Sequence, residues 1–203
     1  MRKRLSLIVT LIFLASSLPA CQSKAKLDLA SFEKYALQDL HLEKTDSTTW
    51  LNNAYYDLDH TIDPASEESL KLDHTAQVYS TADGNVASAM AVVYNDYQDK
   101  KEAKAYFESL VASEKEMLSS ETKDHVIKEG SGYLLVLTVE NRSNWTFECL
   151  YYQSDVILFV SINIGASDVR KINQEWLKNV KTFFSDLNLT SPFTLSPDID
   201  KLA

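Results

Sequence analysis

Between residues 133 and 164 the chain carries three apolar runs, 133–140, 145–152 and 156–164, separated only by the polar stretches 141–144 and 153–155. Connections this short cannot make the crossover of a dozen or more residues that a parallel pair requires, so the runs form antiparallel neighbours, a meander. The second run alternates, with Trp145, Phe147, Cys149 and Tyr151 on one face. The first is apolar at nearly every position, and a strand apolar on both faces needs cover on both sides.

The remaining elements fit round this meander. Residues 125–128 read as a short additional strand, followed by a turn over 129–132. Upstream, 76–81 and 86–94 form a hairpin about Asp83-Gly84-Asn85, where Gly permits the positive φ of a tight turn. The second arm sets Ala87, Ala89, Ala91 and Val93 on one face and Val86, Met90, Val92 and Tyr94 on the other. Three amphipathic helices accompany the strands. Residues 31–40 place Phe32, Tyr35, Ala36 and Leu40 at helical spacing behind Ser31 as N-cap. A second helix opens at Asp99, with Glu102 completing a capping box and only Glu114 interrupting the apolar stripe Ala103, Phe107, Leu110, Val111, Met117 and Leu118. The third starts near Ser167 and carries Val169, Ile172, Trp176, Val180, Phe183, Phe184 and Leu187. Residues 43–73 show no clear period.

These elements predict an α+β fold, an antiparallel sheet of five or six strands with amphipathic helices packed on it. The order of elements is similar to the PsbP-like α/β/α sandwich, and that resemblance implies helices on both faces. Residues 28–190 are expected to form a single domain and 191–203, with Pro192 and Pro197, an irregular tail. With 45% hydrophobic residues, eight Phe, ten Tyr and three Trp, the chain can fill such a core.

The first twenty residues differ from the rest. Arg2, Lys3 and Arg4 precede an apolar stretch over 5–14, the arrangement of an export signal. That stretch falls short of the ~20 apolar residues needed to span a bilayer. Leu18-Pro19-Ala20-Cys21 follows and resembles the bacterial lipobox. The resemblance implies cleavage after Ala20, diacylglycerol on the Cys21 sulfur, and a lipid-anchored protein on the extracytoplasmic face of the cell membrane, or on the outer membrane in a Gram-negative cell. An ordinary cleavage after Ala20 would put Leu18 in a subsite that prefers small residues. Residues 21–27 are then a lipidated tether, and Cys149 has no second thiol to pair with.

The net charge is −9; loss of Arg2, Lys3 and Arg4 leaves 17 basic against 29 acidic residues, a net of −12. Such a surface repels phosphate backbones, so nucleic acid is not an expected partner. The chain contains no Walker loop, dinucleotide-binding Gly motif, zinc signature or hydrolase elbow, and no cofactor is expected. Gly130-Ser131-Gly132 has Glu129 where an elbow needs Gly two residues before the Ser. Candidate metal ligands are Asp57, Asp59, His60 and His74, with Asp63 and Asp73 nearby, but their spacing fits no established site. Cys149 shares its face with aromatic residues and reads as an inert core thiol. Trp50, Tyr55, Tyr56, Tyr94 and Tyr97 could line a ligand groove or pack in the core. The expected function is a non-enzymatic binding or interaction module at the cell envelope, whose partners are the membrane through Cys21 and an envelope protein or other envelope ligand. The alternative is a small extracytoplasmic hydrolase or metal-dependent enzyme built on the Asp57, Asp59 and His60 cluster.

Overall fold

A computed structural model of the chain describes residues 27–44, 70–82, 85–120, 125–140, 144–165 and 174–196. The fold is α+β. Strands β1 (Glu43–Lys44), β2 (Leu72–Ala82), β3 (Asn85–Tyr97), β4 (His125–Gly130), β5 (Tyr133–Glu140), β6 (Asn144–Gln153) and β7 (Val156–Gly165) form one antiparallel sheet in the order β1-β2-β3-β7-β6-β5-β4. Six of these strands are long; β1 has two residues. Helix α1 (Leu29–Glu33) runs on into a π-helical turn (Lys34–Asp39), and α2 (Lys100–Ser120) and α3 (Gln174–Asp186) are regular.

The strand order follows from connection length. β2 and β3 are adjacent in a hairpin whose last pair is Ala82 with Asn85. β4 to β7 run back as the expected meander, and β7 closes against β3. The connection that holds the 21-residue α2 carries the chain from β3 in the middle of the sheet to β4 at its far edge.

Side-chain alternation divides the core in two. On one face Met90, Val92, Tyr94, Leu135, Leu137, Phe147, Cys149 and Leu158 meet α1, the π-helical turn and α3. On the other, Ala91, Val93, Leu134, Val136, Leu150, Ile157 and Phe159 meet α2. The sheet is thus covered on both sides, as its doubly apolar strands require. Trp176, Leu177, Val180, Phe183 and Phe184 of α3 are all buried, each side chain contributing roughly 2 kcal/mol.

Several boundaries differ from the sequence reading. Helix α1 is capped by Asp28, whose Oδ1 accepts from the Ser31 amide at 2.9 Å; Ser31 is the amide that is capped, not the cap. The carboxylate three residues upstream reaches that amide and lets the helix begin earlier. Asp99 caps α2 as expected, accepting from the amides of Lys101 and Glu102 at 2.7 and 3.0 Å. Tyr106 joins the buried stripe of that helix. The turn expected over 129–132 shrinks to Ser131 and Gly132, because Glu129 and Gly130 stay in the ladder opposite Leu134 and Tyr133. The expected irregular tail instead supplies a 3-10 turn (Pro192–Leu195). Its Phe193 packs edge-on against Phe147 and Phe184, with ring centroids 5.3 and 6.4 Å away. The two prolines suggested an irregular course, but Pro192 fixes φ at the start of the turn. The start expected for the third helix near Ser167, with Val169 and Ile172, lies outside the described residues.

Candidate binding cleft

Among the described residues a broad concavity lies where α2 passes over two hairpin turns at one end of the sheet. On α2, Lys104, Phe107, Glu108, Val111, Ala112 and Lys115 recur at helical spacing and form one wall. Opposite stand Glu129 to Tyr133 from the β4–β5 turn and Tyr152 to Ser154 from the β6–β7 turn, enclosing a cleft of about 750 Å³.

Aromatic faces make its floor. Phe107 stacks on Tyr152 with centroids 5.4 Å apart and ring planes 26° apart. Such stacking adds roughly 1 kcal/mol to the burial of the rings. The Tyr152 hydroxyl donates to the Lys100 carbonyl at 3.3 Å, tying the sheet to the start of α2. Burial first, then the Asp155 and Glu108 carboxylates, raise the Tyr152 phenol above its ordinary range, so it stays protonated as a donor at neutral pH.

Charges of both signs line the rim. Lys115 Nζ donates to Glu129 Oε2 at 2.6 Å across the cleft, both side chains being 48% exposed. Lys104 and Glu108 pair at 3.5 Å one helical turn apart. Exposed pairs contribute little to stability. Two Lys and two Glu leave this patch neutral in an otherwise acidic protein.

The glycines flanking Ser131 explain themselves here. A side chain on Gly130 would overlap the Tyr133 ring, which occupies that space. Gly132 has φ of 82° and lies so close to Tyr152 that a Cβ would sit 2.6 Å from its carbonyl oxygen. The Tyr152 amide in turn donates to the Gly132 carbonyl at 2.8 Å, fastening the two turns together. Gly130-Ser131-Gly132 is therefore a turn that shapes the cleft wall, consistent with its failure to match a nucleophile elbow.

The residues singled out from the sequence occupy other places. Cys149 is fully buried, and burial pushes its thiol far up, leaving it inert. Tyr94 and Tyr97 are buried on opposite faces of β3, Tyr94 stacked on Phe32 at 4.8 Å and Tyr97 edge-on to Tyr106 at 6.0 Å. They do not share a groove, because three residues along a strand reverse the facing. Burial raises both phenols. Trp50, Tyr55 and Tyr56 lie outside the described residues, as do Cys21, Asp57, Asp59, His60 and Asp63. His74 is exposed on β2 opposite Asp96, while His125 stands on β4 with its Nδ1 3.0 Å from Thr138 Oγ1. Four strands separate the two imidazoles. Among the described residues no three His, Cys, Asp or Glu side chains converge as a metal site, and no helix is long and apolar enough to cross a membrane.

Glu114, the one polar interruption in the α2 stripe, is 7% exposed. With Glu148 and the apolar Leu110, Leu134, Val136, Leu150 and Phe159 it lines a cavity of only about 10 Å³, barely the space of one water.

The cleft was not legible as a motif. Its walls come from three separate stretches, of which the sequence marked the Gly130-Ser131-Gly132 turn and, as apolar positions of α2, Phe107 and Val111. Comparison with protein-family models finds no match, and comparison with curated proteins finds none either.

Proposed function

We propose that this chain is a lipid-anchored extracytoplasmic module that binds an envelope component through the cleft between α2 and the β4–β5 and β6–β7 turns. The observation that carries the reading is the lining of that cleft. Stacked aromatic faces, two Lys, two Glu and turn backbone converge on about 750 Å³, the mixture by which pockets orient a ligand.

The place of Leu27 determines where such an anchor would hold the cleft. The Leu27 amide donates to Gln153 Oε1 at 2.9 Å, and Gln153 itself lines the cleft. Leu27 is six residues beyond Cys21, so even a fully extended chain spans at most about 22 Å between them. A lipid on Cys21 would therefore hold the cleft end of the sheet close to the membrane surface.

The test places a photocrosslinking residue at Lys104 or Ser131 in the lipidated chain in its native membranes, with exposed Thr182 on α3 as control. The expected result is a reproducible adduct from the two cleft positions and not from Thr182. Equal labelling from all three positions, or none from the cleft, would count against this site.

A further inference from the structure

The sheet has two edges, built differently. Among the described residues, β1 at one edge covers only Val78 and Tyr79 of the eleven-residue β2. β4 ends the other with six residues, no Pro, and an uninterrupted register against β5. Its middle is exposed on both faces. Val126 at 46% and Ile127 at 44% are the exposed large hydrophobic residues among those described. An apolar, regular edge strand is the type that accepts another strand.

The β4–β5 turn determines which backbone groups that edge presents. Gly130 and Tyr133 flank a two-residue turn, so they form the hydrogen-bonded pair that closes the hairpin. Alternation then directs the N–H and C=O of Lys128 and Val126 towards β5, and those of His125, Ile127 and Glu129 outward. The outward-directed residues also share one face of the sheet, the α2 side, because they pair with Thr138, Val136 and Leu134.

We infer that β4 pairs antiparallel with β4 of a second copy about a two-fold axis at Ile127, joining the two sheets into one. A two-fold pairing must set like-facing residues opposite each other, which permits few registers. Centred on Ile127, it puts Ile127 against Ile127, His125 against Glu129 twice, and Val126 against the aliphatic stem of Lys128 twice. The central pairs are then apolar, and the outer pairs set no like charges together, His125 and Glu129 being already engaged with Thr138 and Lys115 of their own chain. Centred one residue further on, it would put Lys128 against Lys128 at the axis, a like-charge clash. The net acidic charge opposes association of two copies, but the favoured register sets no acid against an acid. This inference does not depend on the cleft.

The experiment uses the lipidated full chain in phospholipid vesicles, with single Cys variants and mild oxidation. Cys149 is buried and does not compete, and the chain without an added Cys shows any crosslink through Cys21. In the favoured register the Ile127→Cys thiols sit on residues whose Cα atoms are about 5.5 Å apart, within disulfide reach. Lys128→Cys thiols are then on diagonal residues about 8 Å apart, beyond it. Ile127→Cys is expected to give a disulfide dimer, and Lys128→Cys, equally open to random collision, is not. Adding His125→Glu to Ile127→Cys sets carboxylates against Glu129 and is expected to slow the crosslink several-fold with an unchanged circular dichroism spectrum. Crosslinking through Lys128→Cys as fast as through Ile127→Cys, failure of both, or indifference to His125→Glu would overturn the proposal.

Discussion

Gly132 and Asp99 show how single residues determine local geometry in this protein. Gly132 occupies a left-handed φ of 82°, and the Tyr152 carbonyl fills the space where a Cβ would project. Gly132→Ala combines backbone strain with a clash against main chain that cannot swing away. It is expected to cost about 2 kcal/mol in urea denaturation, where Ser131→Ala at the exposed neighbour stays near wild type. Asp99 acts through charge. Amides of Glu102 and Lys101 donate to its carboxylate and hold its pKa below the ordinary range. Because the folded value is lowered, its contribution is complete above the unfolded carboxylate range and is lost as pH falls through the folded value. The stability difference between wild type and Asp99→Ala should therefore narrow as denaturation is repeated from neutral pH down to about pH 2. A difference that is constant with pH would mean the cap does not act through its ionised form.

At the scale of elements, the two faces of the sheet are covered by different means. Among the described helices, α2 covers one face, whereas α1, its π-helical turn, α3 and the 3-10 turn share the other. The π-helical turn has a packing consequence. The Leu40 amide bonds back to the Tyr35 carbonyl at 3.0 Å and the Leu42 amide to that of Ala36 at 2.8 Å, leaving Ala36, Leu40 and Leu42 all in the core. His41, with φ of 54°, ends the helix between the two leucines. The 3-10 turn is held by Phe193, and the Tyr151 hydroxyl donates to the Thr190 carbonyl at 2.7 Å just before it. Phe193→Ala removes a fully buried ring from a cluster of three phenylalanines and is expected to destabilise the fold by roughly 3–5 kcal/mol in chemical denaturation. A cost below about 1 kcal/mol would return this segment to the status of a tail.

For the whole molecule, the arrangement that bears on function is the common location of three features. The cleft, the closing turns of two hairpins and Leu27 all lie at one end of the sheet. If Cys21 is lipidated, that end is tethered close to the membrane. Cys21→Ser is expected to release the protein from the membrane fraction, since the two acyl chains go with the sulfur. The mature amino terminus of the wild type, read by mass spectrometry, is expected to be a diacylglyceryl Cys21. An unmodified terminus anywhere else would end the anchor proposal and leave the cleft as the remaining basis for a binding role.

The sequence alone determined the features that depend on near neighbours. Short turns forced the 133–164 meander, period two assigned Phe147, Cys149 and Tyr151 to one face, and Asp99 marked the start of α2; all three hold in the structure. Inertness of Cys149 was legible too, because its neighbours at i±2 set its surroundings. What only the tertiary structure decided depends on residues distant in sequence. Tyr94 and Tyr97 read as a shared aromatic surface until opposite sheet faces separated them. Phe193 read as tail until it met Phe147, 46 residues earlier. The cleft required Phe107, Glu129 and Tyr152 to meet, and nothing in one-dimensional spacing encodes that meeting, which is fixed by the crossing of α2 over the sheet. The same crossing leaves β4 at the far edge, exposed on both sides.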